Sequence, residues 1–290
     1  MLTFAHSPDG DDLAMWWALL VGRPAARTLL RFEFFASDIE TLNRRAVEVG
    51  DLDVTALSAR AVAEAAGRYA IATCGASFGE AYGPKVVARP EAPIRCEGCL
   101  AKPGLRVAIP GIRTTAFLAL ALMMGLTRED LARFTPVPFD RIVDEVASGR
   151  FDAGLIIHEA QLSFADHGLR EVVDLGEWWA ERTGLPLPLG LTGVRHDLDA
   201  RHGPGTTDEL VRVLRASVEH ALTNRDDAVA FALARAPGSS EARMRRFLDM
   251  YANRLSLDMG ERGRQGVRRL LAEGASAGLC PEPQEIRFIG

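Results

Sequence analysis

At 290 residues, 48% hydrophobic and 25% charged, the chain has the composition of an ordinary globular protein with room for one large domain or two smaller ones. A net charge of −5, from 34 basic and 39 acidic side chains, leaves no basic field for nucleic acid, and no apolar run reaches the length of a membrane span. The start meets Asp9, Asp11 and Asp12 with neither a basic n-region nor an apolar h-region, so a cytoplasmic location is expected.

Leu2–Ala5 reads as a first strand, and Ser7-Pro8-Asp9-Gly10-Asp11-Asp12 as a turn that brings acids to a helix start, with the helix running through Met15, Trp16, Leu19 and Leu20. Leu29–Phe34 is expected to be a second strand. Asp38 is expected to cap a helix carrying Ile39, Leu42, Ala46 and Val47 at helical spacing up to Gly50. Asp53–Leu57 forms a third strand ending at Ser58, a short Ala-rich helix follows over 59–67, and Tyr69–Cys74 and Lys85–Ala88 are two further strands. The glycine-rich link between them, Gly75 to Pro84 with Ser77 inside it, either lets backbone approach a ligand or is a flexible loop.

Residues 90–104 gather Pro90, Pro93, Gly98, Pro103 and Gly104, the clearest linker signal in the chain. Cys96-Glu-Gly-Cys99 lies within it. It lacks the second pair that a tetrahedral metal site needs, and together with Cys74 and Cys280 it is too scattered for a disulfide framework. A second α/β unit then opens: strand Leu105–Ile109, turn Pro110–Thr115, apolar helix Ala116–Met124, strand Thr135–Val137, and a helix capped by Asp140 and closed by Gly149. Leu155-Ile156-Ile157 reads as the end of a strand buried on both faces, with His158 immediately after it. A strand over 172–175, the Trp178-Trp179 pair and a Pro-rich run over 184–190 come next. From about Thr207 the chain turns helical near 207–223, 226–235, 240–254 and 260–276, and the Arg243-Met-Arg245-Arg246 run reads as a solvated helix face. Two α/β units and a helical tail that packs back on the first suggest two lobes with a cleft between them.

Three strand ends carry polar groups: Ser58, Thr114 with Thr115, and His158. Imidazole at the carboxyl end of a strand sits where open α/β sheets place ligands, and it moves protons near neutral pH; the alternative is a histidine satisfied by a neighbouring carbonyl. Thr114 and Thr115 with the free N–H groups of a helix start form a ready anion site, or Thr114 is a plain N-cap. Neither glycine-rich phosphate fingerprint is present, and no Gly-x-Ser-x-Gly elbow or nucleophilic cysteine motif accompanies His158. Asp9, Asp11 and Asp12 read as a solvated cap rather than a metal site, and at most one of Trp178 and Trp179 can face a ligand.

Several runs carry a resemblance across nearly the whole chain: Asp38-Ile-Glu-Thr-Leu-Asn-Arg44, Leu57-Ser58, Val107-Ala-Ile-Pro-Gly111 with Thr114-Thr115, Ala153-Gly-Leu-Ile-Ile-His158-Glu159, Val173 through Trp178-Trp179 to Gly190, and Ser256-Leu-Asp258. The chain resembles the 1,4-dihydroxy-6-naphthoate synthases of the futalosine route to menaquinone, in the superfamily with chorismate dehydratase. The resemblance implies a two-lobed α/β fold like the type 2 periplasmic binding proteins, with one lobe from 1–88 plus 195–290 and the other from 89–194. It implies a lyase needing no cofactor that converts cyclic dehypoxanthine futalosine to 1,4-dihydroxy-6-naphthoate and releases a three-carbon sugar fragment. His158 falls on the family's proposed base. Ser58, Thr114 and Thr115 fall on its carboxylate-binding hydroxyls, and Asp12 and Ser77 complete the candidate set. Family members open with Ser-Pro-Cys-Pro-Asn-Asp-Thr where this chain has Ser7-Pro8-Asp9-Gly10-Asp11-Asp12-Leu13, a change in residues expected to face the cleft. The expected partner is a small-molecule carboxylate, with no nucleic acid and no membrane insertion, and a homodimer is an open option. A chorismate dehydratase-type enzyme and a non-catalytic binder of a small aromatic or dicarboxylic acid remain the alternatives.

Overall fold

The structure, a computed structural model, describes residues 1–94, 97–102, 104–236 and 238–290. In chain order its strands are β1 (Leu2–His6), β2 (Phe32–Ala36), β3 (Val54–Ser58), β4 (Tyr69–Ala72), β5 (Ser77–Gly79), β6 (Lys85–Ala88), β7 (Val107–Ile109), β8 (Phe134–Pro136), β9 (Ala153–Ile156), β10 (Arg170–Asp174), β11 (Leu187–Arg195) and β12 (Phe288–Ile289). They form two sheets. The first has the order β12-β4-β11-β3-β1-β2, with β5 also on β11; the second has the order β10-β6-β9-β7-β8. Both are mixed: β1 runs parallel to β2 and β3 while β11 runs antiparallel to β3 and β4, and β9 runs parallel to β7 but antiparallel to β6. By sheet membership the chain changes lobe between Gly79 and Lys85 and returns between Asp174 and Leu187, several residues before each of the divisions expected at 88/89 and 194/195.

Two helices are apolar on nearly every face and are buried accordingly. In Gly10–Leu20, residues Leu13 to Leu19 are all buried between the first sheet and the C-terminal helices Thr206–Thr223 and Arg225–Leu233. Trp16 meets Phe4 of β1 edge-on at 5.3 Å, a contact worth about 0.5–1.5 kcal/mol beyond the area it buries. In Thr115–Met123, residues Thr115 to Ala121 are buried. Both helices begin at the cleft, so their N-termini are held there by packing along their whole length. The C-terminal helix Gly260–Ser276 packs on β11, and β12 adds a parallel edge to β4, which returns the tail to the first lobe.

Local departures from the sequence reading have physical causes. The second strand starts at Phe32 rather than Leu29, because Thr28 turns the chain: its hydroxyl accepts from Leu30 N–H (3.1 Å) and donates to Glu209 (2.6 Å), leaving Leu29 98% exposed. Asp140 caps nothing; it lies inside a 3₁₀ turn, Phe139–Arg141, that leads into the helix Ile142–Ala147. The Pro-rich run over 184–190 opens the nine-residue strand β11, whose proline at 188 is tolerated because the register slips between Pro188 and Gly190. The glycine-rich link over 75–84 contains β5. The stretch over 90–104 lies between β6 and β7, both strands of the second sheet, rather than between lobes, and of its described residues Ala92, Ile94 and Leu100 are buried in the core. Cys96 lies outside the described residues.

Candidate functional site

Between the lobes lies a cleft, about 700 Å³ of space with its open mouth included, whose walls include Ile39, Ile157, Leu189, Leu191 and Phe247 and whose polar groups gather at two helix N-termini. Several contacts tie the lobes across it. The Glu40 carboxylate accepts from Arg113 N–H (3.1 Å), Asn43 donates to the Arg113 carbonyl (3.2 Å), and Arg243 pairs with Asp166 at 2.5 Å. Gly111 makes the first of these approaches feasible, since a Cβ there would lie 2.4 Å from the Glu40 carboxyl carbon.

His158 lies two residues past the end of β9, and its backbone is left-handed (φ 57°), a conformation that costs a non-glycine residue energy unless its surroundings enforce it. Gln161 supplies part of that enforcement. With its amide nitrogen turned toward the Tyr251 hydroxyl and the Gly83 carbonyl, its oxygen accepts from His158 N–H at 3.3 Å. The imidazole packs edge-on against Phe139 (4.5 Å between centroids), and its Nδ1 lies 2.9 Å from Asp9 Oδ2. Nε2 is buried and has no partner among the described residues. Burial alone would lower the imidazole pKa, but the charge of Asp9 and the bond to it, helped by Glu159 and Asp11, raise it to about 9.

Asp9, Asp11 and Asp12 are not the solvated cap that the sequence suggests. Asp9 is buried against His158, and all three line the cleft. Asp12 accepts from Ser7 N–H (2.7 Å), and Asp11 accepts from the Ser77 hydroxyl (2.5 Å). Burial, with the neighbouring carboxylates, pushes Asp11 up to about 7; burial likewise pushes Asp12 up to about 6 against the pull of its bond to Ser7. Glu159 does not line the cleft. Its carboxylate accepts from Gly10 N–H (3.1 Å) and so serves the N-terminus of the Gly10–Leu20 helix.

Other residues that line the cleft present donors. Ser58 Oγ accepts from Asn43 Nδ2 (2.9 Å) and Ser58 N–H donates to Asn43 Oδ1 (2.8 Å), an arrangement that leaves the Ser58 O–H to donate into the cleft. Thr114 caps its helix, accepting from Phe117 N–H (3.3 Å) and donating to the Gly111 carbonyl (2.8 Å); Thr115 accepts from Arg60 N–H (3.2 Å) and donates to the Leu189 carbonyl (3.0 Å). Both hydroxyls are therefore engaged within the protein. What this turn offers a ligand is main-chain N–H, from Thr115 and Ala116, which lie in the first helical turn and have no carbonyl partner within the helix.

The structure thus brings Ser58, Ser77, Thr114, Thr115, Asp12 and His158 to one cleft. Neither Trp178 nor Trp179 lines it; Trp179 is fully buried in the core. Asp9, Asn43, Gln161 and Tyr251 were missed as site residues, although Asn43 and Gln161 fall inside or beside the runs that carried the resemblance. Gly75, in the left-handed region (φ 70°), donates to the Ser256 carbonyl at 2.7 Å, which gives the Ser256-Leu-Asp258 run its place behind the cleft.

A family model described as menaquinone biosynthesis matches residues 2–276. The chain is 40% identical to the 1,4-dihydroxy-6-naphthoate synthase of Thermus thermophilus over 98% of each chain. A solved structure from Archaeoglobus fulgidus superposes with a TM-score of 0.84 at 38% identity, covering 96% of this chain and 98% of that one. A Candida albicans protein described as having the generic periplasmic binding protein fold superposes at 0.72 with 12% identity over 99% and 92% of the two chains. The two-lobed α/β architecture is that of the periplasmic binding proteins.

Proposed function

The chain belongs to the menaquinone biosynthesis family, and from that membership and the cleft geometry we propose that it is a 1,4-dihydroxy-6-naphthoate synthase acting on cyclic dehypoxanthine futalosine. The reaction is a carbon-carbon lyase step, cofactor-independent and cytoplasmic. The observation that carries the residue assignment is the buried, unpartnered Nε2 of His158 in a cleft that also presents free N–H groups. The substrate carboxylate sits at the Ser58 hydroxyl and the Thr115 and Ala116 N–H groups, where the dipole of the nine-residue helix favours an anion. Asp9, Asp11 and Asp12 line the same cleft, and where ionised they disfavour a carboxylate beside them, which supports this orientation. His158 Nε2 then takes a proton from carbon next to a carbonyl. The C–H electron pair passes into the carbonyl as an enolate; as the carbonyl re-forms, the bond to the three-carbon sugar fragment breaks, its electron pair leaves on the fragment, which takes the proton from His158, and the remaining ring tautomerises to the aromatic diol. The apolar walls exclude water from the developing anion.

Incubating the purified protein with cyclic dehypoxanthine futalosine and following naphthoate by absorbance tests the reading. Stoichiometric product at catalytic enzyme supports it; saturable binding with no product overturns it.

A further inference from the structure

We propose that Asp9 is the positioning residue of a carboxylate–imidazole pair: it holds the His158 proton on Nδ1 and so presents Nε2 to the substrate. The inference rests on the base assignment for His158 and adds a partner from a different element. Asp9 occupies the N-cap position of the Gly10–Leu20 helix, with the extended backbone (φ −75°, ψ 156°) from which an aspartate ordinarily accepts a bond from the first helical turn. It makes no such bond. Its Oδ2 lies instead 2.9 Å from His158 Nδ1, and the helix N-terminus is served by Glu159, which accepts from Gly10 N–H. A local rule is broken at Asp9 and repaired by the residue next to His158, the pattern expected where a side chain is committed to function rather than to its helix.

The alternative, a structural ion pair, accounts less well for the rest of the geometry. Nothing but the Asp9 carboxylate engages the imidazole nitrogens among the described residues, and the strained backbone of His158 is held by Gln161 so that the ring is trapped between Asp9 and Phe139. Two constraints on one ring leave one nitrogen free, on a side chain that lines the cleft. The titratable groups that act on the imidazole are Asp9 and Asp11 from the Gly10 helix and its approach and Glu159 from its own turn, with Asp12 and Tyr251 also lining the cleft. Asp9 is the one in contact. When Nε2 accepts a proton the resulting imidazolium stays paired with Asp9, so charge is not left uncompensated in the cleft.

Asp9→Asn, with His158→Asn beside it, tests the role. Asn cannot carry the compensating charge. The expected result is a plateau kcat lowered roughly a hundredfold with KM within about threefold, and a rising limb of kcat/KM displaced to lower pH by at least about one unit. Long-range proton–nitrogen correlation spectra of the full-length ¹⁵N-labelled protein add a readout that needs no turnover: in the wild type above its titration His158 carries its proton on Nδ1, and in Asp9→Asn that preference weakens. A wild-type spectrum with the proton on Nε2 overturns the proposal whether or not any variant folds. If His158→Asn is inactive while Asp9→Asn keeps both midpoint and plateau, Asp9 alone has lost its role; if His158→Asn is as active as wild type, the base assignment itself has failed.

Discussion

The cleft contains two helix N-termini that differ only in what fills them. At the Gly10–Leu20 helix the protein supplies its own anions: Glu159 takes Gly10 N–H, and Asp9, Asp11 and Asp12 crowd the first turn. At the Thr115–Met123 helix the first turn carries none, and the nearest, Glu40, is spent on Arg113 N–H ahead of the cap. Thr114 satisfies one N–H, and those of Thr115 and Ala116 are left for whatever enters. Both helices are buried along their length, so both ends are equally fixed. The difference teaches that rigidity locates a helix terminus, whereas local side chains decide whether it stores negative charge or waits for it. The first terminus sets the basicity of His158; in the proposed reaction the second orients the substrate.

The sharpest way to break this division of labour is His158→Asn. Turnover is expected to fall at least about a hundredfold while ligand affinity and the unfolding transition stay near wild type, because the donor end is untouched. A comparable rise in KM would mean that the two ends are not separable. The pH profile tests the same division without mutation. His158 titrates at about 9 in the free protein, and a base works only when unprotonated, so kcat/KM should climb roughly tenfold per pH unit below that midpoint and level above it. Asp11, at about 7, has already ionised before the climb ends and so helps hold the midpoint high. A profile that is flat or falls between pH 7 and 9 would make His158 an acid or an electrostatic anchor instead.

Much of this site was legible in the chain because its parts are local. Ser58, Thr114-Thr115 and His158 each stand at the end of a strand that its own apolar pattern announces, and the run around His158 carried the family resemblance. What was illegible is what crosses between elements. Asp9 looks like a helix cap until β9 brings His158 beside it, 149 residues away in sequence (158 − 9), and Asn43 gains its meaning only by bonding Ser58 from a neighbouring element. The threonine hydroxyls misled for the opposite reason: their local chemistry is real, but the Gly111 and Leu189 carbonyls consume it. The same holds for the fold. The prolines over 184–190 hid β11, since only the irregular pairing with β5 shows how a strand can carry Pro188.

At the donor end the expected effects are smaller. Ser58→Ala removes one O–H donor to a carboxylate, a bond to a charged group worth about 1.5–3 kcal/mol, and is expected to raise KM at least about tenfold with little change in kcat. Thr114→Val serves as the contrast. Its hydroxyl faces the protein, so the expected cost is about 1 kcal/mol of stability from the lost cap, with KM following only as far as the Thr115 and Ala116 N–H groups shift. Binding isotherms and thermal melts on the two variants separate these outcomes. Equal effects of both on KM with no loss of stability would put the threonine hydroxyl back in the cleft.

The acid end carries a cost that the donor end does not, and Asp11→Asn is the way to measure it. The folded-state pKa of Asp11, about 7, lies above the 3.8 of an unperturbed carboxyl because burial and the nearby Asp12 and Asp9 disfavour its charge. The folded chain therefore holds this proton more tightly than the unfolded chain does. Below about pH 4 the group is neutral in both states and costs nothing; as pH rises from about 4 to 7 stability falls, and above 7 the full penalty is present. Asparagine keeps the shape and can still accept from the Ser77 hydroxyl without the charge. Asp11→Asn is thus expected to melt on the order of 2–4 °C above wild type at pH 8, roughly what 1 kcal/mol is worth in a large domain, and to match it near pH 4. The same variant gives up part of the field that keeps His158 basic, so the kcat/KM midpoint should drop slightly as stability rises. Ser58→Ala provides the control, since no titrating group is removed and its melting difference should not vary with pH. A lower melting temperature for Asp11→Asn at pH 8 would show that the Asp11 charge is already compensated, and the contrast between the two helix ends would then lie in their ligands alone.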